Sequence, residues 1–178
     1  LVEHTETPAR EINAANLLYL KNGIWIACNT DVNGVVNSFI DSGTILRGKH
    51  ALVIGAGGAG RAAAHGLERE GALVYMANRT LREGVFPLTS VPDLLKRCSL
   101  VVNTIPWDSG QAATIRFTSN HVILDASYTE APLKEVATQA GSIYLNGYHW
   151  LYHQAVEGYK LLTGTEPDKK AMRKFLGL

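Results

Sequence analysis

The stretch Ile54-Gly55-Ala56-Gly57-Gly58-Ala59-Gly60 decides the fold of this 178-residue chain. It follows an apolar run of strand length, residues 50–54, and opens an alanine-rich helical segment, residues 59–70. A GxGxxG pattern between strand and helix is typical of a dinucleotide-binding turn. Its first glycine permits the tight turn, its second lets the backbone approach a pyrophosphate, and its third lets helix and strand pack closely. We therefore predict that residues 55–60, the glycine turn, contact such a cofactor.

The alternation of strand and helix continues beyond the glycine turn. Uninterrupted apolar runs suit strands that are buried on both faces of a parallel sheet. They occur at residues 50–54, 73–77, 100–103, 122–126 and 142–145. Helices are predicted between them at residues 59–70, 91–97 and 133–140. The pattern predicts an α/β fold, a three-layer Rossmann-like domain with a parallel sheet and right-handed crossovers.

The segments on either side of this alternation have their own patterns. Residues 17–20 and 24–28 are apolar runs joined by Lys21-Asn22-Gly23, which predicts a hairpin. From Asp31 the apolar residues follow helical spacing, which predicts a helix that ends near Gly43. After residue 146, segments 148–162 and 167–176 read as two helices, the second opened by Pro167.

The composition narrows the class of partner. Lys and Arg number 17 against 16 for Asp and Glu, so no broad basic field favours nucleic acid. No long apolar run or signal peptide is evident, which favours a soluble, cytoplasmic protein with no membrane partner. Cys28 and Cys98 fit no disulfide spacing and are expected to be buried thiols in a reducing compartment. The first residue is Leu, which suggests a fragment or a processed chain.

The residues after the second predicted strand select the dinucleotide. An NAD site presents Asp or Glu to the ribose at this place. This chain has Asn78-Arg79-Thr80 instead. A guanidinium beside hydroxyl and amide donors suits a 2′-phosphate, and Arg82 could supply a second positive charge. The predicted cofactor is therefore NADP.

Asp31 is the candidate for proton chemistry. It stands where a helix begins, so it could point into a cleft beside the nicotinamide, but Asp is also a common capping residue and both roles stay open. His149 and His153 lie four residues apart, yet Trp150 stands where a zinc protease would have glutamate. No third ligand is evident, so no metal site is predicted.

The order of these motifs resembles the shikimate dehydrogenase family, over nearly the whole chain from about residue 9. The combination of an NTD segment, GAGGAGRA and NRT is more specific than any one of them. The matching residues are Asn16 after Ala14-Ala15, Cys28-Asn29-Thr30-Asp31 with Gly34, the glycine turn with Arg61 and Ala62, Asn78-Arg79-Thr80, Asn103-Thr104, Tyr128, and Gly147 with Leu151, Gln154 and Ala155.

The resemblance implies reversible reduction of 3-dehydroshikimate to shikimate by NADPH, with Asp31 paired to a lysine in proton transfer. It implies substrate contacts at Asn16, Asp31, Tyr128 and Gln154. It implies cofactor contacts at Gly55 to Ala59, Asn78, Arg79, Thr80, Asn103, Thr104, Ala126 and Gly147. It also implies that residues 1–42 are a remnant of a substrate domain, 43–146 the NADP-binding domain and 147–178 helices that close the cleft. A homodimer, or fusion to other shikimate-pathway domains, is expected.

Three departures from the family pattern stand out. The family's catalytic lysine and carboxylate-binding residues belong upstream of residue 1, and Lys21 does not match that lysine, so this chain is expected to bind cofactor but turn over poorly. Trp150 replaces a methionine, and segment 128–132 is about two residues shorter than usual. The alternatives are an NAD-linked quinate dehydrogenase, a glutamyl-tRNA reductase-like domain and a non-catalytic NADP-binding module.

Overall fold

The computed structural model describes residues 2–129 and 131–178. Its N-terminal elements are β1 (His4–Thr5), α1 (Thr7–Glu11), β2 (Leu17–Lys21), β3 (Ile24–Cys28) and α2 (Asp31–Asp41). The predicted hairpin is confirmed, because β2 and β3 pair antiparallel and Asn22 and Gly23 take the positive φ angles of a tight turn. Strand β1 adds to β3 in parallel and was not predicted, since two residues are too few to show a pattern.

The central sheet has six strands, all parallel. Its elements are β4 (His50–Ile54), α3 (Gly58–Arg69), β5 (Leu73–Asn78), β6 (Val85–Pro87), α4 (Val91–Leu95), β7 (Leu100–Asn103), α5 (Ser109–Ala112), β8 (Val122–Asp125), α6 (Pro132–Gln139) and β9 (Ile143–Leu145). The strand order is β6-β5-β4-β7-β8-β9, which is the doubly wound order of dinucleotide-binding domains. The five predicted strands and three predicted helices are confirmed, and the short β6 and α5 are additions.

Strand β4 explains why the sheet has helices on both faces. Its residues 51–54 are all buried, and alternate side chains enter opposite cores. Val53 packs with Phe39 of α2 and Leu67 of α3, whereas Leu52 packs with Leu94 of α4 and helices α5 and α6 on the other face. From β4 the chain runs outward through β5 to β6 and then crosses back to β7 on the other side of β4, so a crevice opens at the carboxyl ends of β4 and β7.

Two C-terminal helices complete the fold. Helix α7 (Gly147–Thr163) packs along α2, and α8 (Lys169–Leu176) packs on α7. Helix α8 begins two residues after Pro167, because Asp168 caps it by accepting a hydrogen bond from the Ala171 amide at 2.9 Å. Arg173 holds α8 in place by pairing with Asp41. This packing brings the first two turns of α7 against the start of α2.

Candidate active site

The glycine turn has a separate steric reason for each of its motif glycines. Gly55 has a φ of 110°, and a Cβ there would lie 2.1 Å from Thr104 Oγ1. A Cβ on Gly60 would lie 2.1 Å from the Gly55 carbonyl oxygen, so the third glycine lets α3 approach β4. A Cβ on Gly57 would meet nothing within 4 Å. The backbone at Gly57 therefore faces open space that a ligand can fill.

The N-terminus of α3 points its amides toward this space. Gly57 is the N-cap residue and has no side chain to cap the helix, and the first turn holds no acidic residue. Free amides and the positive end of the helix dipole favour an anion. Arg61 anchors the turn, because its guanidinium donates to the carbonyls of Ala56 at 3.1 Å, Ile12 at 2.7 Å and Asn13 at 3.1 Å. Sequence reasoning did not find this anchor.

The segment Asn78-Arg79-Thr80 lies where predicted, at the carboxyl end of β5. Asn78 donates to the Thr80 carbonyl at 3.1 Å, which shapes the loop, and Arg79 is exposed. Among the described residues, no carboxylate forms an ion pair with Arg79 or Arg82. Arg79 lines a pocket of about 330 Å³.

Loops after β6 and β7 supply the other walls of this pocket. Its lining includes Leu88, Thr89, Ile105, Pro106, Trp107 and Gln111. Sequence reasoning missed these residues. Their only signal was their place just after strands whose carboxyl ends meet at the same edge of the sheet.

The side chains of Asn103 and Thr104 form hydrogen bonds that shape the backbone around the site. Asn103 is buried, donates to Asp125 Oδ1 at 3.0 Å and the Ile105 carbonyl at 2.8 Å, and accepts from Trp107 Nε1 at 2.8 Å. Thr104 Oγ1 donates to the Ile54 carbonyl at 2.9 Å, beside Gly55. The side chain of Asn103 is thus engaged in shaping the loop 104–107, and its expected cofactor contact stays a prediction.

Asp125 is the acceptor at the centre of this network and was not predicted. Its carboxylate accepts hydrogen bonds from Asn103, from the Tyr144 hydroxyl at 2.9 Å and from the Ser127 hydroxyl at 2.9 Å. Burial, with the charge of Asp125 next, raises the pKa of Tyr144 well above its usual value. The network ties the ends of β7, β8 and β9 together.

A second, smaller cleft of about 90 Å³ brings together residues from distant parts of the sequence. It is lined by Asp31, Ala59, Ala126, Tyr128, Gly147, Trp150 and Gln154. Three of these, Asp31, Tyr128 and Gln154, were predicted to touch substrate. Ala59, Ala126 and Gly147 were predicted to touch the cofactor. The two predicted sets of residues therefore meet at one place.

Asp31 is the ionisable group of this cleft. It occupies the first turn of α2, where Asn29 rather than Asp31 accepts the backbone hydrogen bond, from the Asp31 amide at 3.0 Å. Burial raises its pKa, while the nearby polar groups of Trp150 and Asn16 oppose the rise. Burial, followed by the charge of Asp31, likewise raises the pKa of Tyr128.

Asn16 links the N-terminal elements to α7. Its amide donates to Gln154 Oε1 at 3.2 Å, and its carbonyl oxygen accepts from the Thr30 amide at 2.9 Å. Asn16 and Gln154 are thus fixed beside Asp31. Lys21 lies elsewhere, in the β2–β3 hairpin, and lines a separate groove with Leu161.

Two cysteines and two histidines remain among the residues that the sequence singled out. Cys28 and Cys98 are free and buried, as predicted, and burial raises their pKa values to about 12 and about 11. His149 lies 3.1 Å from Asn146 Oδ1, and His153 lies 3.7 Å from Asp41. In the described part of the chain, no helix has the length and apolar character needed to span a membrane.

Fold and site together define a class of protein. A doubly wound parallel sheet, a glycine turn at a helix N-terminus and a carboxylate in the adjoining cleft are the parts of a dinucleotide-dependent oxidoreductase.

Comparison with known proteins gives the family. No family model matches the chain. The chain is 33% identical to the shikimate dehydrogenase (NADP(+)) of Methanocella arvoryzae, over 93% of its own length and 69% of that relative. It resembles the crystal structure of shikimate dehydrogenase from Aquifex aeolicus with a TM-score of 0.84 and 27% identity, over 97% of this chain and 70% of that one.

A third comparison includes a bound ligand. The Thermus thermophilus enzyme in complex with shikimate gives a TM-score of 0.79 and 25% identity, over 99% of this chain and 73% of that one. The chain belongs to the shikimate dehydrogenase family, as its motifs predicted.

Proposed function

We propose that this chain is the NADP-binding part, with one side of the substrate cleft, of an NADP-dependent shikimate dehydrogenase. The reaction is the reversible reduction of 3-dehydroshikimate to shikimate. The observation that carries the proposal is that Asp31 lines one cleft with Gly147 and with Ala59, which belongs to the glycine turn. The proposal includes the division of the chain into a remnant of the substrate domain (residues 1–42), the NADP-binding domain (43–146) and the C-terminal helices that close the cleft (147–178).

The glycine turn fits the pyrophosphate. Gly57 leaves open space where a side chain would block the approach of phosphate oxygens, and the free amides of α3 supply donors. Gly55, Ala56, Gly58, Ala59 and Gly60 complete the cradle.

The end of β5 fits the adenosine half. Arg79, with Arg82, Asn78 and Thr80 nearby, would bind the 2′-phosphate, because a guanidinium can donate two parallel hydrogen bonds to it. The apolar walls at Ile105 and Trp107 suit a flat adenine ring. This arrangement favours NADP over NAD.

The cleft at Asp31 fits the reacting end. Bound NADP would supply or accept the hydride. Asp31 would hold the proton that moves to or from the substrate oxygen, and burial of the cleft strengthens such interactions by excluding water. Asn16, Tyr128 and Gln154 would orient the hydroxyl and carboxylate groups of the substrate, while Thr104, Ala126 and Gly147 would flank the nicotinamide.

Calorimetric titration of the chain with NADP, and separately with NAD, tests the proposal. We expect NADP to bind at least about tenfold more tightly, about 1.4 kcal/mol, and Arg79→Ala to abolish the preference. Arg97→Ala is the matched control, since Arg97 is exposed after α4 and outside the pocket. No binding of either nucleotide to the folded chain would refute the proposal, and tighter binding of NAD would favour a quinate-type dehydrogenase.

A further inference from the structure

The indole of Trp150 has an unusual setting in the Asp31 cleft. Its side chain is 4% exposed, and its N–H makes no hydrogen bond with any part of the chain that the structure describes. A buried donor without a partner is costly, so such groups in folded proteins usually serve a ligand or a neighbouring polar group. We therefore expect a hydrogen-bond acceptor close to the indole N–H of Trp150.

The space for this indole is made by a glycine on the facing helix. Gly34 lies one turn after Asp31 on α2, and a Cβ there would lie 2.7 Å from Trp150 Cδ1 and 3.0 Å from Nε1. The pyrrole edge of the indole therefore lies directly against the turn of α2 that presents Asp31. Any larger residue at position 34 would push the N–H out of this place.

Asp31 is the acceptor within reach. Its carboxyl lines the same cleft, and the Trp150 donor is close enough to oppose the effect of burial on the pKa of Asp31. Asn16 acts on Asp31 in the same sense, and the charge of Asp31, after burial, helps to raise the pKa of Tyr128. An ionised carboxylate has two oxygens, so it can accept from the indole with one and face the substrate with the other.

We propose that Trp150 is a positioning residue for Asp31: when Asp31 is ionised, the vacant indole N–H donates to one carboxylate oxygen, which leaves the other oxygen facing the cleft. This role rests on the proposed function, because it concerns the oxygen that exchanges a proton with substrate. Phenylalanine at position 150 would fill much of the space but could not donate. Asp31 would then lose a donor that favours its ionised form.

Proton–nitrogen NMR of the chain tests the contact without cofactor or substrate. The protein has three tryptophans, so Trp150→Phe assigns the Trp150 indole resonance by its loss. We expect this resonance to shift with pH as Asp31 ionises and the shift to vanish in Asp31→Asn. The indole of Trp25, half-exposed on β3, is the internal control and should not respond. A Trp150 resonance that is indifferent to Asp31→Asn would overturn the proposal.

A pair of glycine substitutions provides a second test. Gly34→Ala should displace the indole and remove the coupled titration. Gly158→Ala, in the middle of α7, should leave it intact, because a Cβ there meets only Leu17 Cδ2 at 3.7 Å. Retention of the Trp150 titration in Gly34→Ala would contradict the packing on which the proposal depends.

The pH dependence of turnover gives the functional readout in the protein that carries this chain. In shikimate oxidation, Trp150→Phe should move the acid limb of the kcat/KM profile up by about half a pH unit or more, because Asp31 loses a donor. A lower rate with an unmoved acid limb would mean that Trp150 only packs. Because the NMR test uses no nucleotide, its failure would leave the NADP titration standing, and failure of the NADP titration would leave the Trp150–Asp31 contact standing.

Discussion

Two glycines of the glycine turn, replaced one at a time by alanine, separate cofactor binding from folding. Gly57 has a φ of −74°, which alanine adopts without strain, and its Cβ would meet no protein atom within 4 Å. Gly57→Ala should therefore lower the free energy of unfolding by only about 0.5–1 kcal/mol, the disadvantage of alanine relative to glycine at a helix N-cap. The new methyl group would occupy the space assigned to the pyrophosphate. NADP affinity should fall at least about tenfold, or about 1.4 kcal/mol.

Gly60→Ala should have the opposite profile. Its Cβ would lie 2.1 Å from the Gly55 carbonyl oxygen, which belongs to the backbone and cannot swing aside. Overpacking of this severity costs about 3 kcal/mol. The gain in helix propensity from glycine to alanine returns about 1 kcal/mol. The net loss of about 2 kcal/mol corresponds to a Tm lower by about 4–8 °C for a chain of this size.

Thermal unfolding by circular dichroism and calorimetric titration with NADP measure the two effects on the same samples. Gly158→Ala, in α7, is the control, because a Cβ there would meet only Leu17 Cδ2 at 3.7 Å. If Gly57→Ala bound NADP as tightly as the parent chain, the pyrophosphate would not approach this backbone. If Gly60→Ala kept the parent Tm, the close contact between α3 and the start of the turn would be wrong.

Substitutions at three further residues test other parts of the site. Arg61→Ala removes three hydrogen bonds to backbone carbonyls, so it should lower the free energy of unfolding, measured in urea, by about 1–2 kcal/mol and weaken NADP binding. Arg61→Lys should restore little, because one ammonium group cannot replace the planar guanidinium. Asp125→Ala leaves buried donors of Asn103 and Tyr144 without an acceptor and should cost about 3 kcal/mol in the same assay; an unchanged urea midpoint would contradict the network. Asp31→Asn should reduce turnover of the protein carrying this chain by about 10²–10⁴-fold. The folded state raises the pKa of Asp31, so the parent chain loses stability as the pH rises through that pKa. The stability of Asp31→Asn relative to the parent should therefore increase from acid to neutral pH. A difference in stability that does not depend on pH would refute this.

The fold was largely predictable because its decisive signals are local. The glycine turn and the buried runs around it each depend on a few consecutive residues, and strands such as β4 and β7 came out with their predicted bounds. Elements of two to four residues, such as β1 and α5, have no room for a periodic pattern. Their existence depends on tertiary pairing, which a single sequence does not display.

The site was predictable where a motif places a residue and not where only contacts do. Asp31 and Arg79 followed from their positions at the start of a helix and the end of a strand. Asp125 accepts from Asn103, 22 residues away in sequence, and Arg61 donates to Ile12, 49 residues away, so no local spacing could reveal these contacts. The vacant hydrogen-bond donor of Trp150 likewise becomes evident only when α7 lies against α2.

The most direct test of the proposed function is a crystal structure of this chain with NADP. We expect the 2′-phosphate on Arg79, the pyrophosphate over Gly57 and the nicotinamide ring in the cleft between Asp31 and Gly147, within about 4 Å of its walls. A nicotinamide bound away from Asp31, or a pyrophosphate that does not touch the glycine turn, would contradict it.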